Sequence, residues 1–237
     1  VAIIQGMNAY VKENIADAMI GTNSFQVRRT PISLANFNDD QWARIQRRPR
    51  LSARDAEVVR AALPEAEAIS MTTGWPTPRE DVSWRGRTIG SVMVFGITPE
   101  YQVVQDYRTL AGRPLSAVDV AQRMPVVVLG TEVAEKLFES VNPIGQEVRI
   151  AGQRFIVVGV NEAKGRVLGQ SFDAYGLIPF SRFEMIYGRR LTTTVSVKIS
   201  DPEVLPGAML RAEEAMRVAH GLRPNEENDF SIETADA

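Results

Sequence analysis

Cysteine is absent from this 237-residue sequence, and histidine occurs once, at position 220. The lack of cysteine excludes disulfide cross-links, thiol nucleophiles and thiolate metal ligands. A zinc site would need mainly carboxylate ligands, which is uncommon, so we expect no metal centre. His220 follows a predicted helix and precedes a glycine, where histidine more often interacts with the helix dipole than serves as a ligand or base. The sequence therefore favours a structural role for His220.

Long hydrophobic runs are missing as well. No segment reaches the roughly 18 apolar residues that a membrane-spanning helix needs. The sequence begins with valine and shows no cleavable signal pattern, so we expect it to be a piece of a longer protein. A net charge of -2 gives no electrostatic reason to bind nucleic acid or an anionic membrane. With 44% hydrophobic and 24% charged residues, the balance is that of a globular protein with a sizeable core.

The common catalytic motifs are not present either. The sequence has no G-x-x-x-x-G-K-[ST] loop, so we expect no ATP binding of the P-loop kind. Gly169-Gln170-Ser171 begins a nucleophile-elbow pattern but lacks its final glycine. Neighbouring carboxylates lack the alternating spacing of a calcium loop and are typical of solvated surface. They are Asp39 with Asp40, Glu65 with Glu67, Glu213 with Glu214, and Glu226 with Glu227. No catalytic residue, metal site or cofactor is therefore predicted.

The one basic cluster runs from Trp42 to Arg50 and combines a tryptophan with several arginines. Such a combination can contact nucleic acid. The acidic pair Asp39 and Asp40 flanks it, however, and offsets part of its field. We therefore interpret the cluster as a solvated linker.

A dense pattern of structural signals runs from Val126 to Val160. The β-branched run at 126–129 predicts a buried strand, and Gly130 with Thr131 then supplies a turn and a helix-capping hydroxyl. A helix follows, because apolar residues recur with a 3.6-residue period. These apolar residues are Val133, Ala134, Leu137, Phe138 and Val141.

The same segment also predicts how this helix ends. Pro143 pushes Asn142 out of the helical conformation, and Gly145 permits the next turn. Residues 147–150 and 154–160 then alternate between apolar and polar, with a short glycine-containing connection between them, which predicts a β-hairpin. Every special residue here has a backbone role, so the block is scaffold without catalytic groups.

This block resembles the extracytoplasmic domain of MacB-type, or FtsX-like, ABC transporter permeases. In that family a Gly-Arg-Pro-Leu segment like 112–115, followed by an acidic residue like Asp119, precedes a VVVLG-type strand. An EVAEKLF-type helix, an N-P-I-G turn and a hairpin ending in V-V-G-V come next, and 175–180 is similar to a later strand that ends in an apolar-Pro-aromatic step. The structural motif residues that the resemblance picks out are Gly130, Asn142, Pro143, Gly145, Gly159 and Pro179.

Outside this block, periodicity predicts a helix at 8–20 and two β-α-β units. Strands at 25–28 and 66–72 flank a helix that Ser52 opens, and strands at 192–199 and 230–232 flank a helix at 206–219. Residues 82–84 and 88–96 predict a further hairpin. The candidate inward residues of the last helix are Ala208, Leu210, Ala212, Ala215 and Val218.

Two such units side by side predict an α+β fold with ferredoxin-like layers of sheet and helix. The resemblance implies that this larger subdomain is porter-like and discontinuous, comprising residues 1–99 and 189–237. It also implies that a small α/β lobe is inserted at residues 100–188.

Two loops are candidate contact surfaces for a partner. Trp75 lies between turn-forming residues, where a tryptophan either packs into its own domain or is offered to a partner. The glycine-spaced segment 164–173 is either a flexible hairpin tip or a contact loop. Its candidate contact residues are Val167, Leu168, Gly169, Gln170, Ser171 and Phe172.

The resemblance implies a non-catalytic domain on the periplasmic, or extracytoplasmic, side of the inner membrane, with membrane helices before residue 1 and after residue 237. It would relay conformational change from a cytoplasmic ABC ATPase, fused or separate. The implied partners are a second permease in a homo- or heterodimer and a periplasmic adaptor, lipoprotein or carrier protein, but no nucleic acid. Export, lipoprotein release and signalling are all open. The rival hypothesis is a stand-alone soluble extracytoplasmic ligand-binding module or hydrolase.

Overall fold

The computed structural model describes residues 20–32, 37–73, 77–167 and 170–235, which form an α+β fold. The strands are β1 (Ser24–Arg28), β2 (Ala68–Thr73), β3 (Arg79–Trp84), β4 (Arg87–Ile97), β5 (Thr109–Gly112), β6 (Val126–Leu129), β7 (Glu147–Ile150), β8 (Gln153–Asn161), β9 (Arg166–Val167), β10 (Gln170–Ser171), β11 (Tyr175–Pro179), β12 (Thr193–Lys198) and β13 (Ser231–Thr234). The helices are α1 (Asp39–Gln46), α2 (Ala53–Ala62), α3 (Glu100–Val104), α4 (Ala117–Ala121), α5 (Thr131–Phe138), α6 (Phe180–Tyr187) and α7 (Leu205–Ala219).

The chain divides into two compact units. The first comprises Val1–Gly74, Val103–Gln105 and Thr192–Ala237, and the second comprises Trp75–Gln102 and Asp106–Leu191. The second unit thus begins at residue 75, whereas the sequence analysis places the start of the inserted lobe at residue 100. The reason is that β3 and β4 hydrogen bond to β7 and β11, which belong to the second unit.

In the first unit, four antiparallel strands lie in the order β2-β12-β1-β13. Ser52 caps α2, and its backbone N–H donates to the Asp55 carboxylate at 2.8 Å, so the helix begins where the sequence predicts. Helices α2 and α7 share one apolar cluster with the sheet. The members of this cluster include Phe25, Val27, Ala56, Val59, Val195, Val197, Ala208, Ala212 and Met216.

The predicted inward face of α7 is partly wrong. Ala208 and Ala212 are buried, but Leu210 is 60% exposed and Val218 is 81% exposed. Two residues along an α-helix turn the side chain by about 200°, so Leu210 points away from the face that Ala208 and Ala212 share. The small residues, together with Met216, face the core instead and belong to the apolar cluster that α7 shares with α2 and the sheet.

In the second unit, six strands close into a ring in the order β4-β3-β7-β8-β6-β11. The β11–β4 and β6–β8 pairs are parallel and the other four are antiparallel; β5 adds to β8. Helix α5 packs against β3, β4 and β8. The ring of Phe138 in α5 lies against the ring of Trp84 in β3, with 4.8 Å between the two ring centroids. The Tyr187 hydroxyl donates to Glu80 at 2.8 Å, which ties the last helix of this unit to its first strand.

The block from 126 to 160 has the elements that the sequence predicts: β6, α5 and the hairpin of β7 and β8. One residue differs, because α5 ends at Phe138 and Val141 is 41% exposed beyond it. Glu139, with a φ of 51°, leaves the helical conformation before Asn142 and Pro143 are reached. The helix predicted at 8–20 lies outside the described residues except for Ile20, which is buried. Within the described part of the chain, no helix is long and apolar enough to cross a membrane.

Candidate functional site

The predicted contact loop at 164–173, here called the 164–173 hairpin, is tied together at its base by one carboxylate. The Asp173 side chain accepts hydrogen bonds from the backbone N–H groups of Lys164 at 2.7 Å and Gly165 at 3.0 Å. The Phe172 N–H donates to the Gly165 carbonyl at 3.3 Å. Asp173 is 6% exposed, so its carboxyl oxygens are largely removed from water and depend on these donors as hydrogen-bond partners. The two ends of the hairpin are therefore held together.

Beyond its base, the hairpin is a short antiparallel ribbon in which Gln170 pairs with Val167 and Ser171 pairs with Arg166. The Ser171 hydroxyl accepts from the Asp173 N–H at 3.2 Å. Phe172, one of the candidate contact residues, is half-buried. Leu168 and Gly169 lie outside the described residues, and so does the other candidate contact residue, Trp75.

A buried aromatic network supports this base. The ring centroids of Tyr107 and Tyr175 lie 5.3 Å apart, and the Asn161 amide donates to the Tyr175 hydroxyl at 3.2 Å. Burial raises the pKa of Tyr107 and the pKa of Tyr175 well above the ordinary tyrosine value, so both phenols stay neutral. The Lys164 ammonium lies 4.4 Å from the Tyr107 ring centroid, a cation–π contact. This network was not predictable from the sequence, because its members are far apart along the chain.

Two of the predicted motif glycines lie where another backbone segment passes close by. A Cβ atom added at Gly130 would lie 2.1 Å from the Asp173 carbonyl oxygen, and one added at Gly159 would lie 2.1 Å from that of Arg113. Real Cβ contacts do not come this close, so only glycine fits at either position without a shift of the backbone.

The other motif residues lie at turns and element ends. The Asn142 side chain accepts from the Ile144 N–H at 3.1 Å, which closes a local turn after Pro143. Gly145 has a φ of +85°, and its N–H donates to the Val157 carbonyl at 2.8 Å. Pro179 ends β11 directly before α6.

The Gly-Arg-Pro-Leu segment and Asp119 also meet in the structure. The Arg113 guanidinium donates to the two Asp119 carboxylate oxygens at 2.7 Å and 3.1 Å, and Asp119 also accepts from the Ser116 N–H at 2.8 Å. Burial alone would raise the pKa of Asp119, but the hydrogen bonds from Arg113 and Ser116 outweigh it and lower the pKa below its ordinary value. This carboxylate is thus ionised and fixes the start of α4.

His220 caps the C-terminal end of α7 and contacts two carboxylates that the sequence analysis did not connect with it. Its Nε2 lies 2.7 Å from Asp55 Oδ1, and its Nδ1 lies 2.7 Å from Asp229 Oδ1. Burial lowers the pKa of His220, but the two carboxylates outweigh this effect and raise it above the ordinary value. Among the described residues, no group of three or more histidines and carboxylates is arranged to hold a metal ion.

Comparison with known proteins shows sequence similarity over most of the chain. Residues 1–215 match the family model described as the MacB-like periplasmic core domain. The chain is 29% identical over 177 residues, 72% of its length, to the macrolide export ATP-binding/permease protein MacB of Rhodospirillum rubrum, and covers 26% of that protein. It is 24% identical over 238 residues to the MacB protein of Neisseria meningitidis, of which it covers 34%. The chain thus spans about a third or less of the curated relatives it matches.

Two solved structures share the fold. The periplasmic region of MacB from Actinobacillus actinomycetemcomitans superposes with a TM-score of 0.72 at 23% identity, covering 95% of this chain and 94% of that one. The extracellular domain of the ABC-type transporter YknZ from Gram-positive bacteria superposes with a TM-score of 0.67 at 16% identity, covering 90% of this chain and all of that one. At these identities the similarity is one of fold.

Proposed function

Because this chain belongs to the family of MacB-like periplasmic core domains, we propose that it relays ATP-driven conformational change from an ABC transporter permease to substrates or partners outside the membrane. The match of residues 1–215 to the family model is the observation that carries the proposal. The domain itself performs no catalysis in this scheme. A binding and relay domain needs rigid packed elements rather than reactive groups, and the two compact units provide such elements.

The ATPase belongs to another part of the system. The curated relatives are named as ATP-binding/permease proteins, and the chain covers only about a third of their length. We therefore place ATP binding in a cytoplasmic ATPase, fused or separate, and place this chain in a dimer of permeases. The names of the relatives make a macrolide the first substrate to test.

The first unit is the porter-like part of this proposal. Its strand order β2-β12-β1-β13, with α2 and α7 packed on one face, supports a ferredoxin-like layer made from two β-α-β units. Such a layer moves as a body because its core is continuous across strands and helices.

The 164–173 hairpin is the proposed contact element for an adaptor, lipoprotein or carrier protein. Its support is the tied base at Asp173, which holds the two ends of a short ribbon together. A preordered contact loop loses less conformational entropy on binding than a mobile one.

The relay can be tested by distance measurement in the full-length permease. The chain has no cysteine, so a single cysteine at exposed Arg60 or Arg154 can carry a spin label in an otherwise cysteine-free permease. We expect the distance between the same position in the two protomers to change by several ångström when ATP binds.

The matched control is the same labelled protein with an ATPase variant that cannot bind ATP, in which the distances should stay constant. If the protein that binds ATP shows no change in distance at either labelled position when ATP is added, the relay is overturned. A labelled permease that shows no measurable distance between two labels would overturn the proposed dimer.

A further inference from the structure

A cavity of about 450 Å³ lies in the first unit, between α1 with the loop that follows it and the segment that follows α7. This volume is within the usual range for small-molecule sites. The cavity lies outside the motif residues and the 164–173 hairpin, and the relay makes no use of it.

The two walls of this cavity carry opposite charges. Arg44, Arg47 and Arg48 line one wall, and Glu226, Glu227 and Asp229 line the other. Across the cavity, Arg44 Nη1 and Glu227 Oε2 are 3.7 Å apart, and these side chains are 62% and 86% exposed. This is a loose surface ion pair of small net energy. A ligand that carries both charges can therefore replace it at low cost.

The inner part of the basic wall is held in place. The Arg48 guanidinium donates to the Arg29 carbonyl at 2.9 Å and to the Ser231 hydroxyl at 2.8 Å. Arg29 in turn donates to the carbonyls of Arg48 at 2.9 Å and Gln46 at 2.7 Å. Burial lowers the pKa of Arg48 against the opposing effect of Asp229 and Glu227, so this guanidinium is already partly desolvated.

The inner part of the acidic wall is fixed as well. Asp229 accepts from His220 at 2.7 Å. Asn228 accepts from Arg217 at 2.6 Å and donates to Glu213 at 2.9 Å. The inner parts of both walls are thus held in place without a ligand, which reduces the entropy that binding would cost.

Apolar side chains complete the lining. Ile45 is 5% exposed, Leu222 is partly buried, and the Phe37 side chain is 37% exposed at the cavity. An exposed aromatic beside a charged cavity gains free energy when an apolar ligand body covers it.

We propose that this cavity binds a small zwitterionic ligand with an apolar body, such as a dipeptide. The ligand carboxylate lies against the wall of Arg44 and Arg48, and its ammonium lies against Glu227 and Asp229. Its apolar part covers Phe37 and Leu222. This site does not depend on the proposed ATP-driven relay, because the two rest on different observations. Ligand binding can therefore be detected even if the distance measurements contradict the relay.

The test is a titration of the 237-residue chain with leucyl-leucine, followed by amide chemical shifts in NMR. We expect saturable shifts at Ile45, Leu222 and Asp229. N-acetyl-leucyl-leucine lacks the ammonium and leucyl-leucine amide lacks the carboxylate, so each should bind about fivefold more weakly or worse. Shifts that do not saturate, or that appear only elsewhere, would overturn the site.

A charge reversal checks the proposed orientation. Arg44→Glu should weaken leucyl-leucine binding by about fivefold or more, since it replaces a cation near the ligand carboxylate with an anion. Arg60→Glu makes the same charge change at an exposed arginine that also pairs with one glutamate but lies outside the cavity, so its affinity should stay within about twofold. Equal affinities for the two variants, or for the dipeptide and its blocked forms, would contradict the proposal.

Discussion

His220 connects three parts of the first unit through its two ring nitrogens. Asp55 lies in the first turn of α2, His220 ends α7, and Asp229 lies just before β13. Both ring nitrogens lie 2.7 Å from carboxylate oxygens, and only a protonated imidazole can donate to both. The sequence predicts a structural role for His220 but does not identify its partners, because Asp55 is 165 positions away.

Stability should therefore fall as the pH rises. The folded state raises the pKa of His220 above its ordinary value, so the stabilisation is complete below about pH 6.5 and is lost as the pH rises through the folded-state pKa. His220→Gln should lower the free energy of unfolding by about 1 to 3 kcal/mol at low pH and flatten this slope. Urea unfolding of both proteins between about pH 6 and about pH 9 measures the free energy of unfolding and its slope with pH. Identical slopes for the two proteins would show that folding does not raise the pKa of His220.

At the scale of elements, β8 is central to the second unit, because β5, β6 and β7 all pair with it. Gly159 lies where β5 pairs with β8 and where the Arg113 carbonyl passes close by. A side chain here would push two backbone segments apart, so the glycine sets how closely they approach.

Gly159→Ala should destabilise the chain by about 3 kcal/mol, because the new methyl group would meet a backbone oxygen rather than a flexible side chain. Gly207→Ala is the matched control, since Gly207 lies in α7 with nothing within 4 Å of an added Cβ. It should stabilise the chain by up to about 1 kcal/mol. Urea unfolding of both variants measures these changes in the free energy of unfolding. An equal change in the two variants would mean that the backbone at the β5–β8 contact shifts to accommodate the methyl group without a cost in stability.

The elements of 126–160 were predictable because their signals are local: a β-branched run, a helical period, a proline and glycines. The inward face of α7 was predicted only in part, because hydrophobicity suggested Leu210 and Val218 while packing selected the small residues Ala208 and Ala212. Local patterns determine where a helix lies in the chain, whereas its rotation depends on the surface against which it packs.

For the whole molecule, the absence of a phosphate-binding loop leads to a direct prediction. The purified chain should neither bind nor hydrolyse ATP, because nothing in its sequence provides a P-loop cradle. A fluorescent-nucleotide titration and a phosphate-release assay measure this, with the full-length permease and its ATPase as the positive control. Turnover that follows the chain through successive purification steps would contradict the non-catalytic assignment.

The closed ring of the second unit was not predictable from the sequence. It depends on the parallel pairing of β4 with β11, two strands separated by most of the unit along the chain. Strand patterns show which residues are buried, but they do not show which distant strand lies alongside. The network of Tyr107, Asn161 and Tyr175 was missed for the same reason.

The hydrogen bond between Tyr187 and Glu80 has an evolutionary consequence. It joins the last helix of the second unit to its first strand, so the first and last elements of this unit lie side by side. An insertion whose ends meet places little constraint on the host between them. Natural selection could therefore enlarge the parts of this unit on either side of Val103–Gln105, residues that belong to the first unit. Relatives with new exterior partners could arise by changing those parts while the host sheet stays the same.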